Sequence, residues 1–378
     1  MRFIFYSPVK FENWDWRNSV EQGIGGSETS HVEMAWRLAR RGHEVITYAP
    51  IPDDCPGEWK NTKWYRIEEV DWSLSGTWII YRAPSAIDNF DLTRKDQQKW
   101  LLYQDYYYQD LTPERVKAFD KHITLCKAHA YDLMRKYPDI GDRMWLTSNG
   151  LKVDLLEEVE KEGIPERNPY KMIFTSSPDR GLKYVIQSFL RAREFVPQLE
   201  LHAFYGFNNL SKLPWAKSKI EELEILLKSP GVHWHGRVSQ KELYQHWLTS
   251  GFWMYQTNFW ETSCITCMEA QGCGAIPIFN PVYALGENVH YGVPIYGDAY
   301  EDPLTRARFV GEVIRMGTRF DIQNQIRKPM MEFARKRFDW QVMTEQWICE
   351  AEGRRADFEK QYDFPSQIEI KKKEPVLA

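Results

Sequence analysis

The chain has 378 residues, more than twice the roughly 150-residue unit of one domain, and 43% of them are hydrophobic, which is material for two buried cores. Gly 22 and Pro 20 are ordinary counts, so collagen-like, low-complexity and disordered chains are excluded. Lys+Arg 49 against Asp+Glu 53 gives a formal charge of -4, which supplies no overall field for a polyanion, so a nucleic-acid partner would require a local basic face. Trp 16, Tyr 20 and Phe 19 make the chain aromatic-rich, a property that serves packing first and stacking of bases or sugars second. The six cysteines, Cys55, Cys126, Cys264, Cys267, Cys273 and Cys349, are too sparse for a disulfide framework and point to a reducing compartment. The apolar part of Met1 to Pro8 is too short for a signal peptide, and no run of about 18 apolar residues occurs, so a soluble, cytoplasmic protein is expected.

In chain order, Phe3 to Tyr6 predicts a short strand, followed by a long polar loop into Gly23-Ile24-Gly25-Gly26-Ser27-Glu28. The next helix ends before Gly42, and Val32, Ala35, Leu38 and Ala39 form its buried stripe. With a strand over Glu44 to Ala49, this is a βαβ unit with a Gly-rich first turn. Strands at Trp78 to Tyr81, Trp100 to Gln104, His122 to Leu125 and Met144 to Thr147, with helices at Pro113 to Phe119 and Lys127 to Tyr137, complete a Rossmann-like domain over 1–160. The charged stretch Glu157 to Pro169 predicts the boundary. A second series over 168–340 starts with a strand at Lys171 to Thr175 and a helix striped by Leu182, Val185, Ile186, Phe189 and Leu190. Strands at Leu199 to Phe204, Val232 to His235, Phe252 to Tyr255 and Ala275 to Phe279 follow. Phe338-Asp339-Trp340 interrupts a long helix, one more helix covers about 341–360, and 361–378, with its three consecutive lysines, reads as a flexible, solvated tail. The expected fold class is α/β: two doubly wound domains facing a cleft, with ligands outside the strand carboxyl ends.

Several stretches carry chemistry. The Gly25-Gly26 turn opens a helix whose free N–H groups attract an anion, although a plain tight turn reads the same way. A dinucleotide fingerprint is disfavoured because Glu28 replaces its last Gly and Tyr48-Ala49-Pro50 offers no acid. Glu261 lies in a loop after a buried strand, and Glu269 on a helix beginning near Ser263. Such a helix start aims N–H groups at a pyrophosphate while one carboxylate accepts from ribose and the other from sugar hydroxyls. Cys264-x-x-Cys267 has no partner pair at zinc spacing and reads as buried thiols. His233 and His235 alternate on one strand face without a nearby acid cluster and read as sheet residues, so no metal site is expected.

Taken together, these motifs resemble the retaining GT-B glycosyltransferases of the family 4 type over about residues 2 to 360. The motifs are Gly25-Gly26-Ser27-Glu28, Ser148-Asn149-Gly150-Leu151 with Asp154, Ser176 to Leu182, Gly236-Arg237-Val238 and the Glu-x7-Glu segment, in the family's order, with Trp340 where the last helix crosses back to the N-terminal domain. The resemblance implies a nucleotide-sugar donor, UDP- or GDP-linked, bound by the C-terminal domain without a metal, since no Asp-x-Asp occurs. Glu269 would hold the ribose, Glu261 face the transferred sugar, Cys264, Ile265 and Thr266 meet the phosphates, Arg180 neutralise them, and Gly236, Arg237 and Val238 wall the base. The leaving phosphate would help deprotonate the acceptor hydroxyl. Gln104-Asp105 stands where the family commonly has His-Asp, and Ser177 where a second basic ligand often sits. Trp14, Trp16, Asn149 and Tyr106 are the expected acceptor contacts. The resemblance leaves the acceptor open among a glycan, a lipid-linked molecule, a protein and a small molecule; DNA with hydroxymethylated bases is conceivable but not favoured, given the charge. The alternatives are an epimerase or hydrolase of nucleotide sugars on the same fold, and a non-catalytic nucleotide-sugar-binding protein.

Overall fold

The computed structural model describes residues 1–9 and 12–362, and the expected tail lies outside them from residue 363 on. Contacts divide the chain into a first unit, Met1–Val9, Met34–Ser148 and Met343–Ala378, and a second unit, Lys10–Glu33 and Asn149–Val342.

The first unit holds an eight-stranded sheet: β1 (Arg2–Tyr6), β2 (Glu44–Ala49), β3 (Glu58–Trp59), β4 (Thr62–Arg66), β5 (Gly76–Tyr81), β6 (Gln97–Leu102), β7 (Lys121–Thr124) and β8 (Met144–Leu146). Its order is β3-β4-β2-β1-β5-β6-β7-β8, parallel except for the β3–β4 hairpin. Phe3 pairs with Val45 on one side and Thr77 on the other. Ile4, Phe5, Trp78, Ile79 and Ile80 are fully buried, because helices cover both faces of a parallel sheet, and that double burial is why these strands read as unbroken apolar runs. The β3–β4 hairpin has no counterpart in the sequence reading. Lys60 and Asn61 make its two-residue turn with positive φ, without the glycine that signals such turns.

The second unit holds a six-stranded parallel sheet: β9 (Asn168–Phe174), β10 (Glu200–Phe204), β11 (Val232–Gly236), β12 (Ser250–Tyr255), β13 (Ile276–Phe279) and β14 (Val293–Pro294). The order β11-β10-β9-β12-β13-β14 is doubly wound, and the chain reverses its direction of travel across the sheet between β9 and β12. Such a switch point opens a crevice beyond the carboxyl ends of the two strands. The helix Leu182–Arg193 buries Leu182, Val185, Ile186 and Phe189 against this sheet, the stripe its spacing predicts.

Two helical expectations change. The first five residues of the charged stretch Glu157 to Pro169 belong to a helix, Val153–Lys161, which buries Leu156 and Val159 and pairs Glu160 with Arg335 at 2.6 Å. The last helix is two, Trp340–Ala351 and Arg355–Tyr362, because Gly353 takes a left-handed φ of 71° and turns the chain. Among the described residues no helix is long and apolar enough to cross a membrane.

Candidate functional site

The loops after β9 and β12 meet at the switch point of the second unit. Pro178–Arg180 forms a single tight turn, and Gly181 closes it with φ 105°. A Cβ on Gly181 would lie 2.0 Å from the carbonyl oxygen of Gln256, just past β12, so only glycine lets the two loops approach this closely. That approach sets Arg180 against Glu261: Nη1 donates to Oε1 at 3.0 Å, and the Tyr255 hydroxyl donates to the same oxygen at 2.6 Å. The guanidinium also lies 3.3 Å above the centroid of Phe259. Burial opposes the charge on Arg180, but Glu261, with Tyr255 and Asp179, outweighs it and raises the arginine's pKa, so the cation is permanent. The side chain is still 31% exposed, which leaves it accessible to an anion.

Beyond Glu261 the chain enters the helix Ile265–Cys273 through Cys264, which has φ 64° and no side-chain capping bond. A non-glycine residue in this region is strained, and the uncapped first turn leaves amide donors at the Ile265 end. The Thr266 hydroxyl lies 3.3 Å from both the Ser176 hydroxyl and the Cys264 sulfur, which ties this helix start to the end of β9. A Cβ on Gly26 would stand 3.7 Å from Ile265, so the starts of two helices, Gly26–Arg40 and Ile265–Cys273, come together. Beside it, Gly25 lies against the Glu28 carboxylate, 2.2 Å from a notional Cβ, a contact that a turn of the glutamate side chain would relieve. Two positive helix ends with a fixed arginine form a cradle for a polyanion.

Glu269 lies one turn into the helix and is 5% exposed. Burial pushes its carboxyl up to about 7 against the opposing pull of Lys152. Lys152 is itself paired with Glu33 at 2.8 Å, and both are buried. Arg237 does not stand free beside Gly236 and Val238: Glu12 takes it in a two-pronged ion pair, at 2.9 and 3.1 Å. Gly236 itself has φ 67° and open space where a Cβ would be, and the Val238 carbonyl faces Gly23.

The expected acceptor residues divide. Trp14 and Trp16 are 1% and 6% exposed, with Trp14 edge-on to His31 at 5.2 Å, so they anchor the segment instead of presenting a stacking face. The supposed long loop contains a helix, Trp16–Glu21, capped by Asp15 through a capping box with Asn18. Asn149 is 3% exposed, and its neighbour Gly150 is where the Trp340 ring packs, 2.6 Å from a notional Cβ. Gln104, Asp105 and Tyr106 lie in the first unit. The amides of Gln104 and Asp105 both donate to the Tyr108 hydroxyl, at 3.0 and 2.9 Å, and Asp105 binds Arg82 at 2.5 Å. Tyr106 lines a cavity of about 240 Å³ together with Tyr107, Tyr108 and His129. Cys264 and Cys267 are buried thiols, Cys267 completely. Gly181 lies inside the sequence motif Ser176 to Leu182, whereas the roles of Tyr255 and Glu12 carry no local signal in sequence.

Two doubly wound parallel sheets, with a cationic, helix-flanked crevice at the switch point of the second, define the GT-B fold of glycosyltransferases. No protein-family model matches the chain, and no curated protein matches its sequence. Solved structures do match. A glycosyltransferase from Rickettsia africae is 12% identical, with a TM-score of 0.69 over 93% of this chain and 98% of that one. Sucrose-phosphate synthase from Thermosynechococcus elongatus is 13% identical, with a TM-score of 0.68 over 94% of this chain and 99% of that one. HepE from Anabaena, solved with UDP and glucose, is 12% identical, with a TM-score of 0.65 over 93% of this chain and 100% of that one. At such identities the likeness establishes the fold.

Proposed function

We propose that the protein is a retaining, metal-independent glycosyltransferase of the family 4 type, which transfers a sugar from a nucleoside diphosphate donor to an acceptor hydroxyl. The observation that carries this reading is the Arg180–Glu261 pair beside the uncapped start of the helix Ile265–Cys273. In this reading the donor diphosphate rests on the amides of Ile265 and Thr266 and against Arg180, which leaves Glu261 for the bound sugar. Permanent positive charge at Arg180 and the two helix ends takes the part a metal plays elsewhere, by stabilising the charge that grows on the leaving phosphate. That phosphate then accepts the acceptor's proton, a role Gln104 cannot fill and Asp105, held by Arg82, does not need to fill. Glu269 accepts from the ribose hydroxyls, and Gly236 to Val238 flank the base. Tyr106, which lines a cavity with Tyr107, Tyr108 and His129, offers a stacking face for an acceptor sugar. The likeness to HepE, solved with UDP and glucose, makes a uridine donor the first to try.

The test is transfer from radiolabelled UDP-, GDP- and ADP-sugars into a panel of acceptors. Glu261→Ala and Arg180→Ala should each lower turnover by about a hundredfold or more, the loss expected for removing one electrostatic partner of the transition state, with melting temperature little changed. Wild-type turnover by both variants would refute the reading, and product formation from donor alone would favour an epimerase or hydrolase.

A further inference from the structure

Four of the chain's 9 histidines meet on one face of the second unit's sheet, at its β11 edge. His202 on β10 pairs in register with His233 on β11, and strand alternation brings His235 to the same face. The helix Gln240–Leu248 adds His246, whose ring lies 4.7 Å from that of His235 and 5.6 Å from that of His202. His202 Nδ1 is 3.0 Å from His235 Nε2, and one ring nitrogen from each of His202, His235 and His246 falls within 4.8 Å of the others. Two imidazole nitrogens on one tetrahedral zinc, bonded at about 2.0 Å, stand about 3.3 Å apart, so small side-chain rotations complete a shared site. On its far side, His202 Nε2 lies 3.6 Å from the Glu200 carboxylate, the carboxylate–histidine arrangement that orients metal-bound imidazoles. All three rings are partly exposed, which gives an ion a way in.

We propose that His202, His235 and His246 bind one transition-metal dication of the zinc class, with Glu200 orienting His202, at a place separate from the loops that carry Arg180 and Glu261. Burial, and next Lys171, lower the pKa of each of the three rings, in keeping with neutral imidazoles; an ion would replace the hydrogen bond between His202 Nδ1 and His235 Nε2. The Lys171 ammonium, 3.1 Å from His246 Nδ1 and 2.8 Å from Thr249 Oγ1, works against a cation. His233 stacks on His202 at 4.6 Å, groups with Glu200 and His202 instead, and is not a ligand in this arrangement. Imidazole donors favour zinc, cobalt, nickel or copper over magnesium or calcium.

The full chain, stripped with chelator, is titrated with Zn²⁺ by calorimetry and with Co²⁺ by visible absorption. Saturable binding of one ion per chain is expected, with the intense d–d bands of a four-coordinate site. His235→Ala and His246→Ala should each weaken binding by about tenfold or more, Lys171→Met should tighten it, and His233→Ala should leave it within a few-fold. Circular dichroism confirms that each variant is folded. The absence of saturable binding, binding that none of the ligand substitutions weakens, or binding that depends on His233 and not on His246 would each overturn the proposal.

Discussion

At Cys264 the backbone takes φ 64°, a region where a β-branched side chain meets its own neighbouring peptide, and the residue sits where the helix Ile265–Cys273 begins. The strain is the local cost of turning the chain so that the first helical amides are left without a capping side chain. Cys264→Val should therefore destabilise the protein by about 1–3 kcal/mol in urea unfolding, whereas Cys264→Gly should cost less than Val; equal stability of Val and wild type would show that the turn is not held as described. Arg180 is the second residue on which the chemistry turns. Its Nη1 and the Tyr255 hydroxyl converge on a single oxygen of Glu261, which fixes the carboxylate before any sugar arrives. Arg180 and Glu261 each stand out in sequence as part of a short loop motif, but their pairing across 81 positions does not. The burial of Trp14 and Trp16 was not readable, since an aromatic residue in a polar stretch carries no sign of whether a partner such as His31 will cover it.

The element that organises the second unit is the helix Ile265–Cys273, which combines an open start with a buried carboxylate one turn later. Gly272, near its end, lies against Leu151, where a Cβ would come within 2.2 Å of the leucine side chain. The carboxyl of Glu269 is raised from 4.5 to about 7, chiefly by burial. A carboxyl with a raised folded pKa binds a proton in the folded chain that the unfolded chain has already released, so its contribution to stability is full below about pH 4.5 and is lost as pH rises through about 7. Glu269→Gln removes that dependence. Between pH 5 and pH 7.5 wild type should lose stability relative to Glu269→Gln by an amount on the order of 2–3 kcal/mol, read by urea unfolding; parallel pH curves would mean that the carboxyl is not desolvated. Periodicity predicted most strands and the stripe of the helix Leu182–Arg193 because one buried face dictates each of them. It gave no sign of the β3–β4 hairpin, whose turn lacks glycine, or of the helix Val153–Lys161, whose charges face outward or pair across the fold.

For the whole molecule, the strand orders of the sheets bring together side chains that are far apart in sequence. The Glu12–Arg237 pair joins residues 225 positions apart, and the histidine cluster draws on two strands and a helix. Contacts of that kind are set by topology, which is why His233 and His235 alone looked like ordinary sheet residues until His202 and His246 joined them. A donor bound to the native chain at 100 times its dissociation constant should add about 2.7 kcal/mol of stability, so thermal shift across nucleotide sugars selects the base. The decisive measurement is then a crystal structure of the full chain with the nucleoside diphosphate so selected. Diphosphate oxygens within hydrogen-bonding distance of the Ile265 and Thr266 amides, and against the Arg180 guanidinium, are the predicted result; a nucleotide seated anywhere else on the protein, with that helix start untouched, would contradict it.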